Sequence, residues 1–279
     1  MRIAFSTSIT DYIEKVGTLL MRKEAANSLI LGLIDYFKTT ITKDVHFGYI
    51  ENDGEVVYAF MQTPPNNWIL ADVDDIDERM IANMAHFLYK KAIKVPGVLG
   101  PELYVEAFIK EWKKHKKVKA KLHMHQLIYQ LEEIKVRPDS SGDLHPTVKS
   151  DHALIKSWLI QFGKEANEEI TEIKASQMAT KYIENQSIYL WKVNGEPVSM
   201  VNQSRQTKNG ATINSVFTPN QYKGNGYATS AVATFSKKLL DEGYKFCSLY
   251  TDRDNPISNH VYEKIGYEVI GSSVVYEFL

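Results

Sequence analysis

The sequence predicts a mixed fold of helices and strands, α/β (α+β) in class, with two domains that each carry a mixed, mostly antiparallel sheet flanked by helices. Three observations predict it. The chain has 279 residues, 44% hydrophobic and 24% charged, enough to bury a substantial core and long for one domain. Segments with apolar residues at helical spacing alternate with short β-branched or aromatic runs along its whole length. One stretch, "VRPDSSGDLHP" from Val136 to Pro146, gathers turn formers without apolar periodicity. That break sets the expected boundary, giving domains 1–137 and 138–279.

In the first domain, "KEAANSLILGLIDYFK" places Ala26, Leu29, Ile30, Leu33, Ile34 and Phe37 at helical spacing. "HFGYIENDGEVVYAFMQT" reads as a hairpin around Asp53-Gly54, because a type I′ turn needs positive φ at both central residues. A helix follows in "IDERMIANMAHFLYKKAI", with Ile81, Met84, Ala85, Leu88 and Ala92 on one face. Then come a helix, "PELYVEAFIKEWKKH", and a strand, "KLHMHQLIYQL". The second domain opens with two helices, "SDHALIKSWLIQF" and "ASQMATKYIENQ". Strands "SIYLWKV", "PVSMVNQSR" and "ATINSVF" are separated by Asn194-Gly195 and Asn209-Gly210, both hairpin signals, and predict an antiparallel meander. A helix with Ala228, Ala231, Val232, Phe235 and Leu239 on its packing face comes next. The strand "KFCSLYT", the short helix "PISNHVYEKIG" and two last strands, "YEVIG" and "SSVVYEFL", complete the chain.

A net charge of −1 and a pI near 6.7 give no overall attraction to nucleic acid or an anionic membrane. The basic run "KKHKKVKAK", Lys113 to Lys121, has no aromatic platform beside it and reads as a solvated helix end. Cys247 is the only cysteine, which removes intrachain disulfides and cysteine-rich metal sites and fits a reducing, cytoplasmic setting. No apolar run approaches the roughly 20 residues that span a bilayer, and "MRIAFSTSITDYIEK" lacks a signal-peptide core. A soluble intracellular protein is expected, with monomer and homodimer equally open. His123 and His125 share a strand face but have no third ligand at suggestive spacing, so no metal is expected.

The chemistry concentrates in "SVFTPNQYKGNGYATSAVATFSKKLLDEGYKF", Ser215 to Phe246. A strand end, a glycine turn and a helix N-terminus make an anion site, since the first helical turn leaves N–H groups unpaired at the positive end of the dipole. A Walker A loop would need Lys and Ser or Thr after its second glycine, where Tyr227 and Ala228 stand. A dinucleotide fingerprint would need a third glycine where Thr229 stands and an uninterrupted strand where Pro219 falls.

"QYKGNGYA", Gln221 to Ala228, resembles instead the pyrophosphate motif Q/R-x-x-G-x-G/A of the GNAT superfamily of N-acetyltransferases, with Gln221, Gly224 and Gly226 at its fixed positions. Downstream, "NPISNHVYEKIGY" is similar to the family's fourth helix with its Asn, Tyr and closing Gly-aromatic pair, and the resemblance spans about residues 138 to 279. It implies an acetyltransferase with acetyl-CoA as cosubstrate, direct transfer to a primary amine in a ternary complex, and binding in a V-shaped gap between the fourth and fifth strands. By the same resemblance the backbone of Lys223, Gly224, Asn225, Gly226, Tyr227 and Ala228 cradles the pyrophosphate. The main chain of Val216, Phe217 and Thr218 pairs with the pantetheine arm. Asn255 contacts that arm, Ser258 and Asn259 lie one turn on as weaker candidates, and Tyr262 protonates the departing thiolate.

Each reading has a plainer counterpart. Asn255-Pro256 is also a complete N-cap and N1 pair, and Tyr262 is one of 16 tyrosines. Cys247, in a strand, reads as buried and inert. The acidic stretch "KEANEEITE", with Glu165, Glu168, Glu169 and Glu172, suits either a cationic acceptor or solvated charge at a helix end. No general base and no acceptor stand out, so small-molecule and peptide amines are both open, as is an acyl group larger than acetyl. A non-catalytic acyl-CoA sensor or scaffold would keep the loop and need no acid at Tyr262. The first half loosely repeats the element order of the second, as in bacterial proteins with two GNAT-like domains. It has "DVDDIDERM" at the loop position, where Asp72, Asp74, Asp75, Asp77 and Glu78 would repel a pyrophosphate. A degenerate first domain that does not bind coenzyme A is therefore expected.

Overall fold

A computed structural model describes residues 1–40, 44–138, 142–166 and 168–279. Residues 139–141 of the expected break and Asn167 of the acidic stretch lie outside the described residues. The chain divides into two compact units, Met1–Ile128 with Ile270–Leu279, and Tyr129–Val269. None of the described helices is long and apolar enough to cross a membrane.

The first unit runs β1 (Arg2–Phe5), α1 (Ile9–Met21), α2 (Ser28–Thr39), β2 (His46–Asn52), β3 (Glu55–Gln62), β4 (Trp68–Leu70), α3 (Glu78–Lys90), β5 (Gly97–Gly100), α4 (Glu102–His115) and β6 (Ala120–Leu131), whose end passes into the second unit. The second repeats the order with β7 (Gly142–Pro146), α5 (His152–Glu165), α6 (Glu172–Glu184), β8 (Ile188–Val193), β9 (Glu196–Gln206), β10 (Gly210–Phe217), α7 (Tyr227–Asp241), β11 (Phe246–Asp252), α8 (Pro256–Ile265) and β12 (Glu268–Phe278). The repeat expected from the sequence is thus complete to the level of single elements.

In the first unit β1, β2, β3 and β4 neighbour one another antiparallel, and β5 joins β4 parallel. The far side of β5 is taken by β12, antiparallel from Val274↔Gly100 to Glu277↔Gly97, which is why residues 270–279 belong to this unit. In the second unit β7, β8, β9 and β10 are antiparallel neighbours and β11 joins β10 parallel. Helices supply the other layer of each core. Tyr12, Val16 and Leu20 of α1 pack with Tyr58, Phe60 and Trp68 in the first unit, and Trp158 and Leu159 of α5 pack with Leu190, Met200 and Phe217 in the second.

The Asp53-Gly54 and Asn194-Gly195 turns have positive φ at both residues, as a type I′ hairpin requires. Asn209-Gly210 does not: neither residue is left-handed, and Gly210 opens β10. Its connection is closed by Thr207, whose N–H donates to the Gly210 carbonyl at 2.8 Å and whose Oγ1 accepts from the Gly210 N–H. Glycine stands there because an added Cβ would meet the Phe246 ring at 2.1 Å. Other expectations also change. The helix at Ser28 begins later than the run from Lys23, and Ala92 lies past the end of α3 with φ 52°. Gly142–Pro146, counted within the break, is an edge strand on β8. The two last strands are one, β12, because Gly271 continues the extended chain. β1 and α1 have no counterpart among the expected elements, although Ser8 caps α1 by accepting from the Asp11 N–H at 3.1 Å.

Candidate functional site

β10 and β11 pair only from Gly210↔Phe246 to Ile213↔Leu249, yet β10 runs on to Phe217 and β11 to Asp252. The two parallel strands therefore part over their C-terminal halves. β10 bends at this point: its register against β9 jumps between Asn214 and Phe217, and Ser215 takes φ 48°. Such a bulge leaves Ser215 and Val216 without partners in the β9 register. Beyond it, Ser199 fixes the strand end, its hydroxyl donating to the Phe217 carbonyl at 3.0 Å and accepting from Thr218 Oγ1 at 2.9 Å.

After Pro219 a short 3₁₀ turn, Asn220–Tyr222, leads into the glycine loop. Gly224 and Gly226 have φ of 81° and 77°, and a Cβ on either would meet nothing within 4 Å. Backbone conformation makes them glycine, and the space above them is open. Gly226 is the N-cap of α7 and no side chain caps that helix, so the first-turn N–H groups around Tyr227 and Ala228 face outward at the positive end of the dipole. Asn225 braces the loop by donating from Nδ2 to the carbonyls of Tyr222 and Lys223, at 3.1 and 3.3 Å. Gln221 is exposed. Lys223 is turned toward α5, its Nζ 2.7 Å from Glu165, a surface pair of small energy.

Asn255 caps α8, Oδ1 accepting from the Ser258 N–H at 3.1 Å, with Pro256 at N1; the Ser258 hydroxyl donates back to the Asn255 carbonyl. Asn259 is buried and donates to the carbonyls of Asp252 and Arg253 at 3.3 and 3.2 Å, while its Oδ1 has no partner. Thr251 Oγ1 on β11 is likewise buried and unpartnered. Two buried polar atoms without a protein partner thus stand on β11 and the adjoining helix, and sequence reasoning missed Thr251. Tyr262 is buried, its ring 6.2 Å from that of Tyr129 and 5.9 Å from that of Tyr267. Burial pushes its phenol well above the ordinary tyrosine value. Tyr129 donates to Glu263 at 3.1 Å, and Tyr267 is within 2.7 Å of the Ser236 hydroxyl. α8 ends at Gly266, φ 120°.

Cys247 is fully buried and its thiol is pushed up to about 12 by desolvation, so it carries no thiolate at neutral pH. Of the acidic stretch, Glu165 is held by Lys223 and Glu172 by Lys156 at 3.0 Å, while Glu168 and Glu169 are exposed. The sequence could not have shown a polar chain on the sheet: Ser187 donates to Asn202 and Asn202 to Asn214, both at 2.7 Å, beside Thr212 and Ser248 at 3.0 Å.

The equivalent place in the first unit is built the other way. Asp77 caps α3, accepting from the Arg79 N–H at 2.9 Å, and Lys23 holds Asp72 and Asp74 at 2.9 and 2.6 Å. A carboxylate of the chain itself already occupies that helix start.

A model of the acetyltransferase (GNAT) family matches residues 152–267. No curated protein matches the sequence. Among solved structures, a Drosophila protein is similar at 11% identity and TM-score 0.67 over 99% of this chain and 98% of its own. A GCN5-related N-acetyltransferase from Sphaerobacter thermophilus is similar at 10% identity and TM-score 0.65, over 98% and 94%. A tandem GNAT protein from the clavulanic acid biosynthesis pathway is similar at 12% identity and TM-score 0.58, over 100% and 98%. These likenesses establish a fold of two GNAT-like domains.

Proposed function

We propose, from the match of the acetyltransferase (GNAT) family model to residues 152–267, that the protein is an N-acetyltransferase, transferring an acetyl group from acetyl-CoA directly to a primary amine in a ternary complex. The observation that carries this reading is the uncapped, glycine-led start of α7 beside two parallel strands that part. An anion belongs at such a helix start, and an extended arm belongs along unpaired strand backbone. The pyrophosphate of coenzyme A meets the first requirement and its pantetheine chain the second.

In this reading the N–H groups from Gly224 through Ala228 hold the pyrophosphate, that of Lys223 being already given to the Asn220 carbonyl at 3.3 Å; Gln221 adds an exposed polar contact, Asn225 braces the loop, and the backbone of Val216, Phe217 and Thr218 receives the arm. Bound acetyl-CoA supplies the activated acyl group as a thioester. Asn255 and Ser258 position α8, and Asn259 and Thr251 offer polar atoms that lack partners in the protein. As the amine attacks the carbonyl carbon, the C–N bond forms, the C–S bond breaks, Tyr262 gives its proton to the leaving sulfur, and the proton that the amine nitrogen sheds passes to solvent water, from which the phenol is restored. The buried thiol of Cys247 argues against a covalent acyl-cysteine route. A sensor without turnover keeps every binding contact and dispenses only with the Tyr262 step.

Isothermal titration with acetyl-CoA, beside ATP and NAD, tests the site. Saturable binding of acetyl-CoA alone is expected; binding of a nucleotide with none of acetyl-CoA would end the reading. Turnover on a panel of amines then distinguishes enzyme from sensor.

A further inference from the structure

Two helices of the first unit bring together three metal-ligating groups that the glycine loop does not use. On α4, Glu111 and His115 are four residues apart and so share a face. α3 packs on α4, and places His86 there. His86 Nδ1 lies 3.0 Å from His115 Nε2, which lies 2.9 Å from Glu111 Oε1. All three ligand atoms fall within 4.8 Å of one another, and no other such group of His, Cys, Asp or Glu occurs among the described residues.

Protons alone match this geometry poorly. A ring nitrogen carries either one hydrogen or one lone pair. If His115 Nε2 donates to Glu111, His86 Nδ1 can only share that same hydrogen. If His86 Nδ1 donates to His115 instead, the His115 lone pair faces a carboxylate oxygen at 2.9 Å. If both rings carry hydrogens, the two N–H groups oppose each other. A cation placed among the three satisfies every lone pair at once.

The donor set indicates which cation. Two imidazole nitrogens and one carboxylate oxygen suit zinc and its neighbours rather than Mg²⁺ or Ca²⁺, and three protein ligands leave a position for water. Bonds of about 2.0–2.1 Å set tetrahedral ligand separations of about 3.3 Å, so the two short spacings of 3.0 and 2.9 Å need to open by a few tenths of an ångström, while His86 and Glu111, the widest pair within the 4.8 Å limit, need to draw together by a side-chain adjustment. The surroundings orient the ligands as outer-sphere groups do. The Tyr89 ring stacks on His115 at 4.7 Å and 16°, and Lys114 takes the other oxygen of Glu111 at 2.6 Å, leaving Oε1 toward the rings. The His115 and Glu111 side chains are 21% and 16% exposed, shielded yet reachable from solvent. We propose that His86, Glu111 and His115 form a binding site for one Zn²⁺ ion that ties α3 to α4.

Calorimetric titration of the untagged, metal-free full chain with ZnCl2, with MgCl2 as control, tests this. One saturable Zn²⁺ site and a higher thermal midpoint with Zn²⁺ are expected, with no response to Mg²⁺. His86→Ala and Glu111→Gln should each weaken binding at least tenfold, since even loss of an outer-shell partner costs 10–100-fold. Co²⁺ should give the visible absorption of a tetrahedral site in the parent chain and lose it in the variants. Glu111→Gln keeps the shape of the side chain and decides the matter if His86→Ala fails to fold. Absence of saturable Zn²⁺ binding, or binding that a folded variant retains undiminished through residues such as His123 and His125, would overturn the proposal.

Discussion

Tyr262 is held as a phenol by burial, and for the proposed transfer this determines how the rate should depend on pH. A raised pKa keeps the group protonated below its folded value, so from roughly pH 6 to 9 its state does not change and it contributes no limb to the profile. Tyr262→Phe should therefore lower kcat by about 10²–10⁴, the span of general acid contributions, with the shape of the pH profile and the KM for acetyl-CoA little altered. Undiminished turnover would remove the acid role. Cys247 makes the opposite case. With its thiol pushed up to about 12 and no exposed surface, Cys247→Ala should keep full activity, and alkylating reagents should not inhibit the parent chain. Loss of the proposed activity on modification of Cys247 in the folded protein would revive a covalent route. Sequence chemistry made Asn255 and Pro256 legible as a helix start, and that is what they build. It could not reveal that Asn259 is buried with an unpartnered oxygen, because this depends on the carbonyls of Asp252 and Arg253 reaching its amide from the preceding strand end.

Two helices at equivalent places, α3 and α7, differ in how they start, and the difference separates a closed helix end from an open one. Gly226 leaves α7 uncapped, whereas Asp77 places a carboxylate on the first turn of α3. Asp77→Ala should shift the denaturation midpoint downward through loss of the cap and leave acetyl-CoA affinity unchanged. Replacing Gly224 and Gly226 with leucine should cost about 1–2 kcal/mol per position for the left-handed backbone and abolish acetyl-CoA binding, because each side chain would fill the open space above the loop. Chemical denaturation and calorimetry on the same samples separate these effects; retained affinity in the folded double variant would exclude the loop as the site. Local signals carried this part of the fold well. Asp53-Gly54 and Asn194-Gly195 turn as their residues dictate, since nothing distant competes. Asn209-Gly210 looks identical in sequence, but the Phe246 ring determines that glycine from another strand. Gly142–Pro146 resembles a loop in composition and becomes a strand only because β8 offers it an edge.

Across the whole chain, the least legible feature is the destination of its last strand. A boundary drawn from turn formers at 137/138 assigns everything after it to the second domain, yet residues 270–279 complete the first unit. No local pattern encodes which sheet edge a terminal strand will join; complementary burial does. Val274 is 1% exposed within the core of the first unit, Phe278 stacks on Trp112 at 6.2 Å, and the strand backbone pairs with β5 from Val274↔Gly100 to Glu277↔Gly97. Full burial of one such aliphatic side chain contributes about 1.5–3 kcal/mol, and a domain is stable by only about 5–15 kcal/mol in all. Losing Val274, part of Phe278 and the pairing along β5 together removes a large share of that margin. A fragment of residues 1–137, although it contains every helix of the first unit, should therefore lack a cooperative thermal transition and bind hydrophobic dyes. Adding a peptide of residues 268–279 should restore a transition whose midpoint rises with peptide concentration, as mass action requires when a ligand binds only the folded state. If the 1–137 fragment melts cooperatively at the same temperature with and without the peptide, β12 contributes nothing essential to the first unit.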